Sequence, residues 1–249
     1  MNLILFEPDE LAKPLPRTDP RAEHILNVLR LRPCDTFDAG LINGPHGKAT
    51  LLRIDTTANE LVLSFAPSLP SPPLASAPAP TPTITLIVGL PRPQTARKIL
   101  FEATTLGVRA IHFVTTEKTD PNYASSTLWS SGEWRRHLVD AAQQAFDTRL
   151  PLVTWDRTLA QTLSDVANVG VSDSPLRVAL DNYEATVGLR SLARQTATSA
   201  CVAIGPERGW GERDRQQLRA AGFTLAHLGP RVLRVETAVV AALAFVSAP

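Results

Sequence analysis

Cysteine and histidine are scarce in this chain, and they do not occur in the spacings that bind metals. Cys34 and Cys201 lie far apart, and neither belongs to a CxxC or Cys/His cluster with zinc-ligand spacing. The five histidines are equally scattered. We therefore expect no metal site, and we interpret both cysteines as buried thiols of a protein from a reducing compartment.

Long apolar runs and a surplus of one charge are missing too. No apolar run reaches the roughly 18 residues of a membrane-spanning helix, and acidic residues interrupt the apolar N-terminus after a few positions. Lys and Arg number 25 against 24 Asp and Glu, so the whole chain carries no electrostatic signal for nucleic acid. The sequence predicts a globular cytoplasmic protein with no membrane partner, whose contacts with RNA would depend on local basic patches.

Motifs for the commonest nucleotide and ester chemistries are absent as well. The sequence has no GxGxxG after a predicted strand, no GxxxxGK[ST] and no GxSxG. A dinucleotide-binding fold, a P-loop and a serine hydrolase therefore have no motif to support them.

Proline, in contrast, is concentrated in one place. Seven prolines fall between Ala66 and Pro82, too densely for a helix or a central strand. We interpret residues 67–82 as a semi-rigid linker with extended, polyproline-like conformations. It would join two folded parts, residues 1–66 and residues 83–249.

The part before the linker has the pattern of a small β-barrel. Short strands alternate with turns and with one helical turn near residues 22–29; the predicted strands are 3–6, 36–39, 49–54 and 61–65. Five of its seven basic residues lie between Lys13 and Arg32, where Asp19 and Glu23 are the only acids. That segment either faces RNA or forms an ordinary solvated surface.

The part after the linker alternates strands with helices, which indicates an α/β fold with a mainly parallel sheet and helices on both faces. The predicted strands are TITLIVGL, AIHFV, LRVALD, CVAIG and TLAHLG. A helix over 95–106 should end at Gly107, and one over 212–221 should end at Gly222. The final helix, ETAVVAALAFVSA, is apolar on nearly every side. The core of its own domain or a second subunit must therefore bury it.

Three loops that follow predicted strands combine glycine with proline. They are residues 89–93, 205–210 and 228–237. Glycine permits close backbone approach and proline holds a loop rigid, so main-chain groups can grip a ligand. Because ligands of open α/β sheets bind beyond the carboxyl ends of the strands, these loops form the candidate ligand site.

Two of these loops resemble paired signatures of the RsmE family, small-subunit ribosomal RNA methyltransferases of the SPOUT superfamily. IGPERGW at 204–210 is similar to the family's IGPEGG, and LGPRVLRVETA at 228–238 is similar to its LGxRxLRTETA. Three further stretches are similar to family signatures in the same order, HILNVLRLRPCD at 24–35, ATTLGV at 103–108 and DAAQQAFDTRLP at 140–151. The resemblance extends over most of the chain.

The chain departs from these signatures at several positions. The departures are Cys34 and Arg208 in place of glycine, Thr105 in place of glutamate, Asp147 in place of arginine and Val235 in place of threonine. Val235 has no side-chain oxygen with which to cap a helix, although Thr237 lies nearby.

The resemblance implies a knotted methyltransferase domain preceded by a PUA-like RNA-binding β-barrel. In SPOUT enzymes the C-terminal segment threads through a loop and forms a deep trefoil knot, an exception to the rule that chains are not knotted. The methyl donor S-adenosylmethionine would lie in the knot. The residues expected to bind it are Leu180, Gly205, Pro206, Glu207, Leu228, Gly229, Val232, Leu233 and Arg234. Family members are homodimers with the C-terminal helix at the interface, which would explain the apolar excess of that helix.

The reaction that the resemblance implies is methyl transfer to N3 of a specific uracil in 16S ribosomal RNA. N3 is a poor nucleophile until its imide proton leaves, so a base and a stabiliser of negative charge are needed. As hypotheses, Arg234 or Arg92 stabilises charge on the uracil carbonyl oxygens, and Glu236 or Glu207 assists proton removal. Glu236 could equally stabilise the first turn of the last helix through the helix dipole. Alignment of donor and acceptor could also supply much of the rate.

Recognition of the RNA falls to the N-terminal part in this interpretation. Because N3 lies on the Watson–Crick edge, the target uracil must be unpaired or extruded. We expect Arg21, Arg30 and Arg32 to contact phosphates of the small-subunit RNA. An alternative keeps the fold but not the catalysis: an RNA-binding assembly factor, with Arg208 and Val235 as signs of a degraded active site. Calorimetric binding of S-adenosylmethionine would separate the two.

Overall fold

A computed structural model describes residues 3–11, 13–68, 83–168, 176–192 and 199–247. From residue 69 onward, the linker predicted from the prolines lies outside these described residues. The chain divides into two compact units. The first unit comprises Met1–Ser76 and Val139–Leu150, and the second comprises Ala77–Leu138 and Pro151–Pro249.

The first unit is built on a curled sheet of five strands in the order β1-β3-β4-β5-β2. The strands are β1 Ile4–Phe6, β2 Leu15–Pro16, β3 Thr36–Leu41, β4 His46–Asp55 and β5 Glu60–Pro67. β1 runs parallel to β3, and the other pairings are antiparallel. The predicted β-rich character of this part is confirmed, whereas closure into a barrel stays a prediction.

A short helical segment lies between β2 and β3. Helix α1, Pro20–Glu23, begins after Asp19, whose carboxylate accepts the backbone N–H of Arg21 at 2.8 Å. It continues into one π-helical turn, His24–Val28. The buried Ile25 of this turn anchors the segment in the apolar core of the sheet.

Residues 139–150 lie with the first unit, although the sequence pattern places them in the α/β part. Ala142 and the partly buried Leu150 belong to the same apolar cluster as Leu3 and Leu5. The side-chain oxygen of Gln143 accepts the backbone N–H of Leu5 at 3.2 Å. Burial of this apolar surface, which adjacency in sequence does not reveal, assigns the segment to the first unit.

The interpretation of both cysteines as buried thiols is right for only one of them. Cys201 is buried, and burial raises the pKa of its thiol to about 12. Cys34 is exposed, and its φ of 78° lies in the left-handed region that favours glycine. The RsmE signature has glycine at this position because glycine adopts this backbone conformation without strain.

The second unit is a sheet of seven parallel strands in the order β10-β12-β9-β11-β6-β7-β8. The strands are β6 Thr83–Gly89, β7 Ala110–Thr115, β8 Leu152–Thr158, β9 Leu176–Leu180, β10 Val187–Gly188, β11 Ser199–Ile204 and β12 Thr224–His227. β11 is buried along its whole length, as its continuous apolar run predicts for an inner parallel strand. The predicted parallel α/β architecture is confirmed.

Helices connect these strands. They are α2 Pro93–Thr105, α3 Thr127–Ser130, α4 Glu133–Ala145, α5 Leu159–Asn168, α6 Leu189–Leu192, α7 Glu212–Ala220 and α8 Val235–Ser247. Gly107 and Gly222, with φ of 75° and 80°, follow α2 and α7 as predicted. α2 begins two residues earlier than the apolar pattern indicates because proline is favoured at the first helical position.

The C-terminal helix α8 is only partly covered within its own unit. It packs against α2 and β11, and its buried residues are Val235, Val239, Ala242, Leu243 and Val246. Val240 and Phe245, on the other side, keep 36% and 41% of their surface exposed. Among the described residues, no helix has the length and apolar character needed to cross a membrane.

Candidate ligand-binding cleft

A cleft of about 610 Å³ opens beyond the carboxyl ends of four neighbouring strands, β12, β9, β11 and β6. The loops that follow these strands line it. Since parallel strands all end at the same edge of a sheet, loops distant in sequence come together there. The three glycine- and proline-containing loops selected from the sequence are among them.

Close backbone contacts hold these loops together. A β-carbon on Gly89 would lie 2.3 Å from Cδ of Pro206, so only glycine allows the two loops to approach so closely. The backbone N–H of Arg92 donates to Glu207 Oε1 at 3.0 Å. Trp210 Nε1 donates to the carbonyl oxygen of Leu180 at 2.9 Å, which ties the turn after β11 to the end of β9.

Eight of the nine residues predicted to bind the cofactor line the cleft; they are Leu180, Gly205, Pro206, Glu207, Leu228, Val232, Leu233 and Arg234. Gly229 does not line it. Its φ is 118°, and its N–H donates to Nδ1 of His227 at 3.2 Å, so it shapes the loop. The predicted catalytic residues Arg92, Arg234 and Glu236 also line the cleft.

The basic residues of the cleft differ in how far their charges are neutralised. Lys98 Nζ lies 3.0 Å from Glu236 Oε1, and Arg92 Nε lies 3.6 Å from Glu207 Oε1. Arg208, Arg231 and Arg234 have no carboxylate within ion-pair distance in the described part of the chain. An anionic ligand or a developing negative charge would meet these three guanidinium groups.

Glu236 lies in the first turn of α8 and is held as a carboxylate. Partial burial alone would raise its pKa, but hydrogen bonds from its own backbone N–H and from Lys98, together with the positive charges of Lys98 and Arg234, outweigh burial and lower the pKa. Its position at a helix N-terminus acts in the same direction. Both roles considered from the sequence, a contact with substrate and stabilisation of the helix start, fit this position.

The loop after β9 contains a buried ion pair that sequence reasoning missed. Asp181 Oδ2 accepts from Arg215 Nε at 2.7 Å, and these side chains are only 1% and 10% exposed. Burial acts to raise the pKa of Asp181, but hydrogen bonds from the N–H groups of Glu184 and Tyr183 and from Arg215 lower it. An aspartate directly after a buried strand is the sequence signal that indicates this loop.

The three arginines predicted to contact RNA lie in different settings of the first unit. Arg21 is bound to Asp19 and Glu10, both at 2.7 Å, and these contacts raise its pKa. Its side chain is only 22% exposed, and its guanidinium lies 4.8 Å from the centre of the Phe6 ring. Arg30 and Arg32 are exposed, and their guanidinium groups form no ion pair with a described residue. These contacts stay a prediction, and the geometry favours Arg30 and Arg32.

Comparison with known proteins agrees with this fold and cleft. A family model described as an RNA methyltransferase domain matches residues 77–247. The matched residues include the whole parallel sheet and the loops that line the cleft. The protein is therefore an RNA methyltransferase.

Similarity over the whole chain narrows this class. A ribosomal RNA small subunit methyltransferase E from Treponema pallidum is 33% identical, with coverage of 100% of this chain and 91% of that protein. A ribosomal RNA small subunit methyltransferase E 1 from Borreliella burgdorferi is 24% identical, with coverage of 97% and 95%. The chain belongs to the ribosomal RNA small subunit methyltransferase E family, as its motifs predict.

A solved structure shares the fold. It is a crystal structure of a ribosomal RNA small subunit methyltransferase E from Neisseria gonorrhoeae bound to S-adenosyl methionine. The TM-score is 0.74 at 24% identity, with coverage of 98% of this chain and 95% of that chain.

Proposed function

We propose that this protein transfers a methyl group from S-adenosylmethionine to N3 of an unpaired uracil in 16S ribosomal RNA of the small subunit. The observation that carries the proposal is the cleft itself. The two most specific family motifs, at 205–210 and 228–234, are separated in sequence by α7 and β12, and residues of both line the same cavity.

The cleft has the size and groups that this methyl donor needs. Its volume of about 610 Å³ falls within the roughly 300–1,000 Å³ of small-molecule sites. The backbone N–H groups of Arg231, Val232 and Leu233 form no hydrogen bond with other described residues, so they are free to bind adenine. Leu180, Val232 and Leu233 supply apolar surface. When bound, S-adenosylmethionine supplies an electrophilic methyl group on a positively charged sulfur.

Arg234 is the strongest candidate for stabilising negative charge on the uracil. Loss of the N3 proton leaves an anion whose charge is shared by the carbonyl oxygens, and an unpaired guanidinium can meet it. Arg92 is partly occupied, because it lies close to Glu207 and its own N–H donates to that carboxylate. Arg92 therefore positions the loop after β6 as well as lining the cleft.

The two carboxylates differ in their suitability as a proton acceptor. A general base works best when its pKa lies near the working pH. The lowered pKa of Glu236 moves it away from that value, so we assign it to holding Lys98 and the start of α8. Glu207 lines the cavity next to Arg92 and is the remaining candidate for proton removal.

The first unit would be the PUA-like RNA-binding domain of this enzyme, closed as a barrel. Arg30 and Arg32 supply phosphate contacts, while Arg21 is structural.

Replacing Arg30 and Arg32 with alanine should lower the slope of log RNA affinity against log salt concentration by about 2, one for each lost phosphate contact. Arg21→Ala should instead lower the free energy of unfolding by about 1–2 kcal/mol, since two part-buried carboxylates lose their partner. An unchanged salt slope in the double variant would contradict this assignment.

The strand register supports a knot in the second unit. Ala226 of β12 pairs with Leu180 of β9 on one side and with Val187 of β10 on the other. Residues 181–186 therefore bridge across the carboxyl end of β12. The chain that leaves β12 must pass this bridge to reach α8, which packs against α2 and β11. We propose that this passage forms the trefoil knot of SPOUT enzymes.

The exposed side of α8 supports a homodimer. Val240 and Phe245 are large apolar residues on the exposed side of α8, and a second copy of the same helix would bury them by symmetry. A protein that works on the small ribosomal subunit acts in the cytoplasm, and we propose this location.

The deciding experiment maps the methyl group directly. Small-subunit RNA from a strain lacking the gene, with and without the restored gene, is digested and analysed by mass spectrometry. We expect 3-methyluridine at one site only when the gene is present. If the mark is absent in both and calorimetry detects no binding of S-adenosylmethionine, the protein is a non-catalytic RNA-binding factor. The three unpaired arginines of the cleft favour the enzyme.

A further inference from the structure

Tyr183 is an exposed aromatic residue at the mouth of the cleft. It lines the cavity, yet 78% of its surface is accessible. An aromatic ring of this size normally contributes to a core or an interface, and here it contributes to no apolar cluster among the described residues.

The ring is nevertheless held in place. The backbone N–H of Tyr183 donates to Asp181 Oδ1 at 2.7 Å. The guanidinium carbon of Arg215 lies 5.5 Å from the centre of the ring, and Arg215 is itself fixed by the buried pair with Asp181. One face of the ring thus lies against a cation, and most of the remaining surface is open to solvent. A ring ordered in advance loses little entropy when a flat ligand stacks on it.

The turn that lies beside this ring contains an arginine without an ion-pair partner among the described residues. A β-carbon on Gly209 would lie 3.7 Å from Cε2 of Tyr183, so the ring is next to the turn that contains Arg208. Arg208 is exposed and unpaired among the described residues, and it stands where the RsmE signature has glycine. Lys118 Nζ donates to the carbonyl oxygen of Arg208 at 3.3 Å, which adds a second positive charge to the turn.

We propose that Tyr183 and Arg208 form a nucleotide-binding lip, in which Tyr183 stacks on an unpaired base of the RNA substrate and Arg208 contacts the adjoining phosphate. Proteins read unpaired RNA by stacking splayed bases on aromatic rings and by pairing arginine with the backbone. The lip is a second RNA contact, on the methyltransferase unit itself, separate from Arg30 and Arg32. The proposal rests on the proposed function, because it assumes an RNA substrate.

Variants of Tyr183 test the stacking contact. With small subunits from the deletion strain as substrate, Tyr183→Ala should raise KM for RNA about tenfold, the effect of one lost base stack. Tyr183→Phe keeps the ring and should retain the wild-type KM. Neither variant should change the Kd of S-adenosylmethionine measured by calorimetry. An unchanged KM in Tyr183→Ala, or a change from dimer to monomer in sedimentation, would overturn the proposal and assign the ring to another contact.

Variants of Arg208 test the phosphate contact. Arg208→Ala should lower the slope of log RNA affinity against log salt by about 1, and Arg208→Lys should keep most of it. Arg190→Ala, the same charge change away from the cleft, is the matched control and should leave the slope unchanged. Weakened binding of S-adenosylmethionine in Arg208→Ala would place this guanidinium on the donor and contradict the lip.

Different results would contradict the proposed function and the nucleotide-binding lip. If the wild-type protein leaves no methyl group on the RNA, the proposed function is wrong. If the wild-type protein methylates the RNA and the Tyr183 and Arg208 variants do so with unchanged KM and salt slope, only the lip is wrong.

Discussion

At the scale of single residues, Arg234 is the arginine of the cleft for which both the sequence motif and the structure indicate a role. It lines the cleft, and its guanidinium forms no ion pair with a described residue. Arg234→Ala should lower kcat/KM about 10²–10³-fold, the typical cost of removing one stabiliser of a developing anion. The measurement is methyl transfer to small subunits at saturating donor, with circular dichroism as the check on folding. Near-normal turnover in a folded variant would remove Arg234 from the active site.

The buried pair of Asp181 and Arg215 gives a prediction about stability. Asp181→Asn removes the nearer of the two carboxylates beside the buried Arg215 guanidinium and leaves only Glu184, whose Oε1 lies 3.6 Å from Nε. The loss should cost about 2–3 kcal/mol of unfolding free energy. The variant and the wild type are compared by urea unfolding at neutral pH. A loss below about 1 kcal/mol, the range of a surface pair, would show that Glu184 or water compensates the guanidinium.

The same residue predicts a pH dependence. Because the folded state lowers the pKa of Asp181 below its ordinary 3.8, its contribution to stability is complete above that value. The contribution is lost as the pH falls through the lowered pKa of the folded protein. The free energy of unfolding of the wild type should therefore drop more steeply in this acid range than that of Asp181→Asn. If the free energy of unfolding fell equally steeply with decreasing pH in the two proteins, this prediction would be wrong.

At the scale of elements, the cleft depends on the contact between the loop after β6 and the turn after β11. Gly89→Ala would place a methyl group 2.3 Å from Pro206 Cδ and 2.7 Å from its backbone nitrogen. The resulting overpacking should cost about 1–3 kcal/mol of stability and weaken binding of S-adenosylmethionine. Thermal unfolding and calorimetry measure the two effects.

Gly188→Ala is the matched control for this prediction. The nearest atom to its added methyl group is His227 Cε1 at 3.7 Å, an ordinary contact, so stability and binding should stay close to those of the wild type. Equal effects of the two substitutions would show that close approach at Gly89 does not matter.

Elements with a strong apolar pattern could be predicted, whereas an edge strand with a weak apolar pattern could not. β6, β7, β9, β11 and β12 lie close to their predicted positions. β8 was missed because it lies at the edge of the sheet, where most of its residues are part-exposed and form no continuous apolar run. α5 follows it directly and lacks a glycine or proline to mark its start.

At the scale of the whole molecule, the exposed side of α8 predicts the state of assembly. Phe245→Asp places a charge where the proposed dimer buries an apolar side chain, so sedimentation velocity should show a monomer in place of a dimer. The single chain should stay folded, because 41% of this residue is already exposed. Leu52→Asp, at a residue that is 49% exposed in the first unit, is the control and should remain a dimer. A wild-type monomer would contradict the dimer outright.

The sequence by itself determined the family, the parallel α/β character of the second unit and most of the residues that line the cleft. These depend on local signals, since glycines, prolines and apolar runs act within a few residues of the backbone that they constrain. Arg92, Arg234 and the loops at 205–210 and 228–234 could be selected because each follows a strand.

Only the tertiary structure decided which charges in these loops are free. The sequence predicts a ligand contact for both Arg21 and Arg234, but the fold pairs the first with Asp19 and Glu10, whereas the second forms no ion pair with a described residue. The fold also brings Tyr183 beside the turn of Arg208 and places residues 139–150 with the first unit. The physical reason is common to all three. Pairing, burial and proximity between distant segments follow from the way apolar surfaces pack, and no local pattern of residues encodes them.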